Sequence, residues 1–243
     1  MENTTKNDQE IENFNALAHE WWDENGPMRP LHRLNPERIR YIKQQITSVL
    51  GHKEPNGTLK GLKILDVGCG AGIVDEPLAR LGADVTGIDA ATQSIAVAQA
   101  HAKDSGLMID YRNATVEEIA ESGETYDVVL ALEIVEHVEN IPLFIEKCAK
   151  CAKQGGLVIF STLNRNPKSY LLGIVAAEHI LKWVPKGTHD WRKFVKPSEL
   201  SRHAETAGLT AVDVTGLKYS PFTKSFALNK KDLDVNYFMS FQA

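Results

Sequence analysis

Three residues able to do acid–base or metal chemistry, Glu133, Glu136 and His137, lie three and four positions apart in EIVEHV, directly after the apolar run YDVVLAL. If that run is a strand and EIVEHV opens a helix, the spacing puts all three side chains on one helix face at the carboxyl edge of a sheet. Two carboxylates and an imidazole could hold a divalent cation such as magnesium and leave coordination positions for a substrate. The pattern also has a plainer reading. Acids near a helix start stabilise its dipole, and His137 can pack or act as a general base.

A second cluster, LDVGCGAG at residues 65–72, places Gly68, Gly70 and Gly72 after an apolar run. A dinucleotide fingerprint needs Gly-x-Gly-x-x-Gly, whose third glycine packs helix on strand while the helix N-terminus faces a pyrophosphate. The spacing here is Gly-x-Gly-x-Gly, and the following helix opens with Asp75 and Glu76, which would repel a phosphate. With Asp66 just before the turn, three acids surround it. That environment suits a cationic ligand without phosphates, such as the sulfonium S-adenosylmethionine. Asp89, at the end of the next strand, is placed to accept two ribose hydroxyls or, alternatively, to cap the following helix.

These residues need a scaffold. Strands are expected at 63–67, 84–88, 109–112, 126–130, 156–161, 210–215 and 235–241, and helices at 73–81, 92–103, 141–153 and 197–207. The alternation predicts a doubly wound, mostly parallel sheet with ligand loops at the carboxyl ends of its strands. Ahead of it, residues 11–22 and the stretch from Asn35, with Pro36 in its first turn, read as two helices. The expected organisation is an N-terminal helical cap over 1–61 and one ligand-binding domain over 62–243, with an insertion at about 164–197.

Composition narrows the function. The net charge of −5 supplies no basic field for nucleic acid. The polar, acidic N-terminus lacks the pattern of a signal peptide, and no apolar run approaches the roughly 20 residues of a membrane span. A cytoplasmic location is expected. Cys148 and Cys151 in CAKC lie within the apolar periodicity of a helix and read as buried thiols, since no second Cys/His pair stands nearby to complete a zinc site.

The motif LDVGCGAGIVDEPLARLGADVTGIDA resembles the class I S-adenosylmethionine-dependent methyltransferases. Together with WWDENGPMRPLHRLNPERIRYI, LEIVEHVEN and STLNRNPKSYLLGIVAAEHILKWVPKGTHDWRKFVKPSEL, it makes the chain from Trp21 onward similar to the ubiquinone-biosynthesis O-methyltransferase family. The loop GHKEPNGTLKG looks longer than that pattern. The resemblance implies a Rossmann-like fold, cofactor contacts at Arg38, Gly68, Asp89 and Leu132, magnesium dependence, and a polyprenylated catechol or quinol as methyl acceptor. A catechol hydroxyl, with a pKa of roughly 10 by analogy with tyrosine, is a poor nucleophile at neutral pH. Help in removing its proton, from a metal at Glu133, Glu136 and His137 or from Glu136 and His137 as acid–base groups, would therefore accelerate transfer.

A lipid-tailed acceptor gives the run Ser169–Val184 (SYLLGIVAAEHILKWV) a second meaning. It is apolar, too short to span a bilayer and flanked by Arg165, Lys168, Lys182, Lys186, Arg192, Lys193 and Lys196. It suits an anionic membrane surface, and equally a helix folded over the acceptor pocket. Peripheral attachment to the cytoplasmic membrane and a complex with other proteins of the same biosynthesis are the expected associations. Trp21 and Trp22 can form a lid over the sulfonium or simply pack the cap helix on the domain. His189 and Asp190 can orient the acceptor or bond within their loop.

Overall fold

The computed structural model of the chain describes residues 4–53, 55–170, 191–223 and 225–243. KILDV forms β1 (Lys63–Val67), whose last four residues are all buried, as a central parallel strand covered on both faces must be. It lies between β2 (Asp84–Asp89) and β4 (Tyr126–Leu132), with β3 (Asp110–Asn113) beyond β2 and β5 (Ala152–Leu163) beyond β4. These five run parallel. Three antiparallel pairings add β8 (Asn236–Gln242), β6 (Thr210–Ser220) and β7 (Ser225–Asn229), for the order β3-β2-β1-β4-β5-β8-β6-β7. Chain order reverses between β1 and β4, so the loops leaving them part and open a crevice at the carboxyl ends.

The sheet is covered on both sides. Leu65, Val67, Val129, Ala131, Val158 and Phe160 join one apolar cluster, and Ile64, Val128, Leu130, Leu157 and Ile159 the other. This is the period-two alternation of strands buried on both faces. The first cluster includes residues of α6 (Ile141–Cys151) and α8 (Pro197–Thr206); the second includes residues of α2 (Arg29–Val49) and α3 (Asp75–Arg80). The expected mostly parallel, doubly wound sheet is the one observed. Cys148 and Cys151 lie on α6, free and fully buried, and burial raises both thiol pKa values.

Several boundaries differ from the periodicity. The first helix is α1 (Asp8–Leu17), where Asn7 accepts the Glu10 N–H, and the chain tightens to a 3-10 turn over Ala18–Glu20. The second begins at Arg29, so Pro36 sits inside it. The Asn35 side chain donates to the Ile73 carbonyl over 2.7 Å and anchors this part of the helix to the domain, which offsets the bond that Pro36 cannot donate. α4 (Thr92–Asp104) is close to expectation. α5 (Val116–Ser122) was hidden by its shortness, although the Thr115–Glu118 capping box marks its start. β7 is a short edge strand that alternation did not reveal. α7 (Pro167–Ser169) is a single turn. The expected apolar helix beyond Tyr170, together with His189 and Asp190, falls outside the described residues.

Candidate active site

The turn after β1 depends on glycine at Gly70. Its φ is +56°, and a Cβ there would lie 2.2 Å from the Trp21 ring. Left-handed backbone and close approach together require a residue without a side chain. The Asp89 carboxylate then ties the turn to β2, accepting the Gly70 N–H at 2.9 Å with one oxygen and the Ala91 N–H at 2.7 Å with the other. Each oxygen keeps a lone pair for a ligand hydroxyl. Burial raises the Asp89 pKa, and the two backbone bonds oppose that rise.

Arg38, Gly68, Asp89 and Leu132, the four positions implied for the cofactor, line one cavity of about 270 Å³. Glu133, Glu136 and His137 line it as well. The cavity thus lies over the carboxyl ends of β1, β2 and β4. Arg38 is almost fully buried. Burial lowers its pKa, against the charges of Glu133, Asp66 and Glu136.

The acidic ring inferred around the turn is only partly there. Asp66 lines the cavity, and burial pushes its carboxyl up to about 6. Asp75 and Glu76 are buried and absent from the lining. Burial and the neighbouring Asp66 charge hold Asp75 well above the carboxylate range. Glu76 turns to Arg80, at 3.2 Å, and to His101, at 2.5 Å. The sequence placed three charges beside the turn; packing of α3 leaves one of them, Asp66, facing the cavity.

EIVEHV does not open an α-helix. Glu133 has φ +56°, and Val135–His137 forms a 3-10 turn, so the side chains diverge. Glu133 accepts the Ser161 hydroxyl at 2.7 Å and the Asn236 amide at 3.1 Å. Glu136 accepts the Thr162 hydroxyl at 2.6 Å. His137 Nδ1 lies 3.2 Å from the Glu10 carboxylate, and its ring meets Phe14 edge-on with centroids 5.3 Å apart. Among the described residues no group of three His, Cys, Asp or Glu side chains is placed to hold a metal ion.

These contacts set the charges. Burial, then the Glu133 charge, pushes the Glu136 carboxyl up to about 7. The bond from His137 is the largest cause lowering Glu10 to about 2, and burial opposes it. For His137, burial favours the neutral ring, but Glu10 and Glu136 outweigh it and raise the pKa. A carboxylate can only accept, so Nδ1 carries a hydrogen toward Glu10 and Nε2 is left to exchange a proton.

Glu10 and the apolar wall of Phe14, Met28, Leu31 and Phe144 were not anticipated as site residues. The periodicity of residues 11–22 pointed to a helix of the cap, and Asn7 marks where it begins. Nothing local showed that this helix would face His137.

A model described as a methyltransferase domain matches residues 65–160. Over nearly its whole length the chain is similar to two bacterial proteins, each a ubiquinone biosynthesis O-methyltransferase. That of Dinoroseobacter shibae is 50% identical, over 96% of this chain and 94% of the relative. That of Roseobacter denitrificans is also 50% identical, over 96% and 95%. Among solved structures, magnesium protoporphyrin IX methyltransferase from Synechocystis, with bound S-adenosylhomocysteine, aligns with a TM-score of 0.65 at 18% identity, covering 96% of this chain and 97% of that one. The N-methyltransferase NodS of Bradyrhizobium japonicum aligns at 0.58 and 18%, covering 96% of each chain. At such identities the structures share the fold.

Proposed function

The chain belongs to the ubiquinone biosynthesis O-methyltransferase family, and on that premise we propose that its cavity brings the S-adenosylmethionine methyl group to a hydroxyl of a polyprenylated catechol or quinol. The protein is an S-adenosylmethionine-dependent O-methyltransferase of ubiquinone biosynthesis, and in this proposal its acceptors are 2-polyprenyl-6-hydroxyphenol and 3-demethylubiquinol. The observation that carries the site assignment is that Arg38, Gly68, Asp89 and Leu132 share one cavity with Glu136 and His137.

In this reading Asp89 receives the ribose hydroxyls on the lone pairs left by its two backbone bonds. Arg38 and Asp66 would hold the amino-acid end, and Leu132 would give apolar wall to the adenosine. When bound, S-adenosylmethionine would supply its methyl group to the acceptor oxygen, the carbon–sulfur electrons returning to sulfur, and His137 Nε2 would take the hydroxyl proton. Glu10 fixes the imidazole tautomer and favours the imidazolium that forms. Positioning and exclusion of water supply most of the remaining acceleration. Within the expected cap over 1–61, residues between Thr5 and Arg38 supply the lining that closes the cavity.

Magnesium is implied by the family resemblance, and when bound it would stabilise a catecholate. The described geometry does not fit it. Glu133, Glu136 and His137 are directed to different partners. Labelled-methyl transfer to a short-chain demethylated quinol, in magnesium and in excess chelator, tests both points. Transfer under both conditions supports the geometry as described. Loss in chelator would show a metal requirement that the described arrangement of these three side chains does not meet, and no transfer with the cofactor bound removes the acceptor assignment.

An anionic membrane surface is the second partner we propose, because a polyprenyl tail resides in lipid. Among the described residues no helix is long and apolar enough to cross a membrane. Arg165, Lys168 and Lys193 are paired with Glu199, Asp234 and Glu10, so much of the basic rim on the described side is already neutralised. Salt-sensitive co-sedimentation with anionic but not neutral vesicles is expected; equal binding to both would refute the electrostatic part. Peripheral attachment to the cytoplasmic membrane, and assembly with other proteins of the pathway, rest on the same reading.

A further inference from the structure

The tandem tryptophans do different things. Trp21 lines the cavity and lies against Gly70. Trp22 donates its indole N–H to the Ala71 carbonyl at 3.1 Å and stacks on His101, with ring centroids 3.5 Å apart and planes 5° from parallel. His32 holds the intervening backbone, bonding the Trp21 carbonyl at 2.8 Å.

His101 lies on α4, far in sequence from both the cap and the turn. Its orientation is set from behind by Glu76, the buried carboxylate of α3 that faces away from the cavity. A buried carboxylate needs partners, and His101 at 2.5 Å and Arg80 at 3.2 Å provide them. Glu76 therefore fixes the imidazole, the imidazole carries the Trp22 ring, and Trp22 seats the chain on Ala71 with Trp21 over Gly70.

We propose that His101 is a positioning residue for the cofactor: its stack on Trp22 holds the N-terminal segment down on the glycine turn, and cofactor affinity depends on that contact. The proposal rests on the cavity being the S-adenosylmethionine site. It gives a role to Glu76, which the proton-transfer scheme does not use. His101 touches no reacting atom, so its loss should affect cofactor binding and leave the chemical step intact.

The test compares His101→Ala, which removes the ring, with His101→Phe, which keeps a stacking partner. S-adenosylhomocysteine binding is measured by titration calorimetry well below each variant's melting temperature. If loss of the stack leaves the segment seated in about a tenth of molecules, the apparent Kd rises about tenfold, because affinity scales with the competent fraction. His101→Phe should stay within about threefold of the parent by the same relation. The kcat at saturating cofactor should be unchanged in both. Trp22→Leu removes the stack from its other side and should reproduce the His101→Ala loss, which covers the case where His101→Ala does not fold.

Unchanged affinity in a folded His101→Ala or Trp22→Leu protein would overturn the proposal. So would an equal loss in His101→Phe and His101→Ala, which would trace the effect to Glu76 and not to the stack. Failure of the parent protein to bind S-adenosylhomocysteine would instead remove the cofactor-site reading beneath it.

Discussion

The Asp89 carboxylate accepts the Gly70 N–H over 2.9 Å, so the residue closing β2 also shapes the turn that follows β1. Asp89→Ala should therefore lose cofactor affinity and stability together. Losing two hydrogen bonds to an ionised acceptor points to roughly 2 kcal/mol or more of unfolding free energy. Cofactor affinity should fall at least about tenfold, in line with losing charge-assisted bonds to ribose. Paired denaturation and calorimetry check this; loss of affinity at full stability would show that Asp89 serves the ligand alone.

Gly70→Ala meets two obstacles, the left-handed φ of +56° and the Trp21 ring 2.2 Å from the new methyl group. The backbone part costs about 1–2 kcal/mol, and the collision adds to it. Combining Gly70→Ala with Trp21→Ala should remove the collision and keep the backbone cost. A double-mutant cycle on unfolding free energies should show a favourable coupling of at least about 1 kcal/mol, and strict additivity would mean that Trp21 moves aside freely.

Glu136 illustrates a site residue held against its own stability. Its carboxyl goes from an ordinary 4.5 to about 7 in the fold, chiefly through burial. A raised carboxyl means that the folded state disfavours the charged form. The penalty is absent below the unfolded value, grows between the two, and is complete above the folded one. Glu136→Gln, which removes the charge, should thus raise the melting temperature relative to the parent more at about pH 8 than at about pH 4, and should depress methyl transfer. Equal shifts at both pH values would count against a buried charge.

The bond between Glu10 and His137 gives the cap a pH window. Glu10 falls from 4.5 to about 2, so its contribution is present above 4.5 and is lost as pH falls through the folded value. His137 is raised from 6.5, so its contribution is complete below 6.5 and is lost as pH rises through the folded value. Hydrogen exchange in α1, corrected for intrinsic rates, should be slowest between these two limits. In Glu10→Gln the maximum should flatten, and a parent profile without a maximum would refute the coupling.

How much was legible varied with the range of the interaction. The strands around β1 and the turn at Gly68–Gly72 are local patterns, and they appear where alternation and glycine spacing put them. Glu133, Glu136 and His137 were identified by type, but their directions were not, because φ +56° at Glu133 rotates the chain out of the expected helix. That rotation is held by Ser161 on β5 and Asn236 on β8, partners that no local window contains. The charges at Asp75 and Glu76 misled for the same reason: a count of acids near a turn does not say which of them face it.

By itself, the sequence determined the layered α/β class, the acid at the end of β2 and the glycines of the turn, which follow from periodicity and from residue types at short fixed spacing, and it carried the family through the resemblance of its motifs. Only the tertiary structure decided that α1 brings Glu10 to His137, that Trp22 stacks on His101, and that one acid of three faces the cavity. Those outcomes depend on burial and on partners distant in the chain, where the cost of an unpaired buried charge selects the contacts that form.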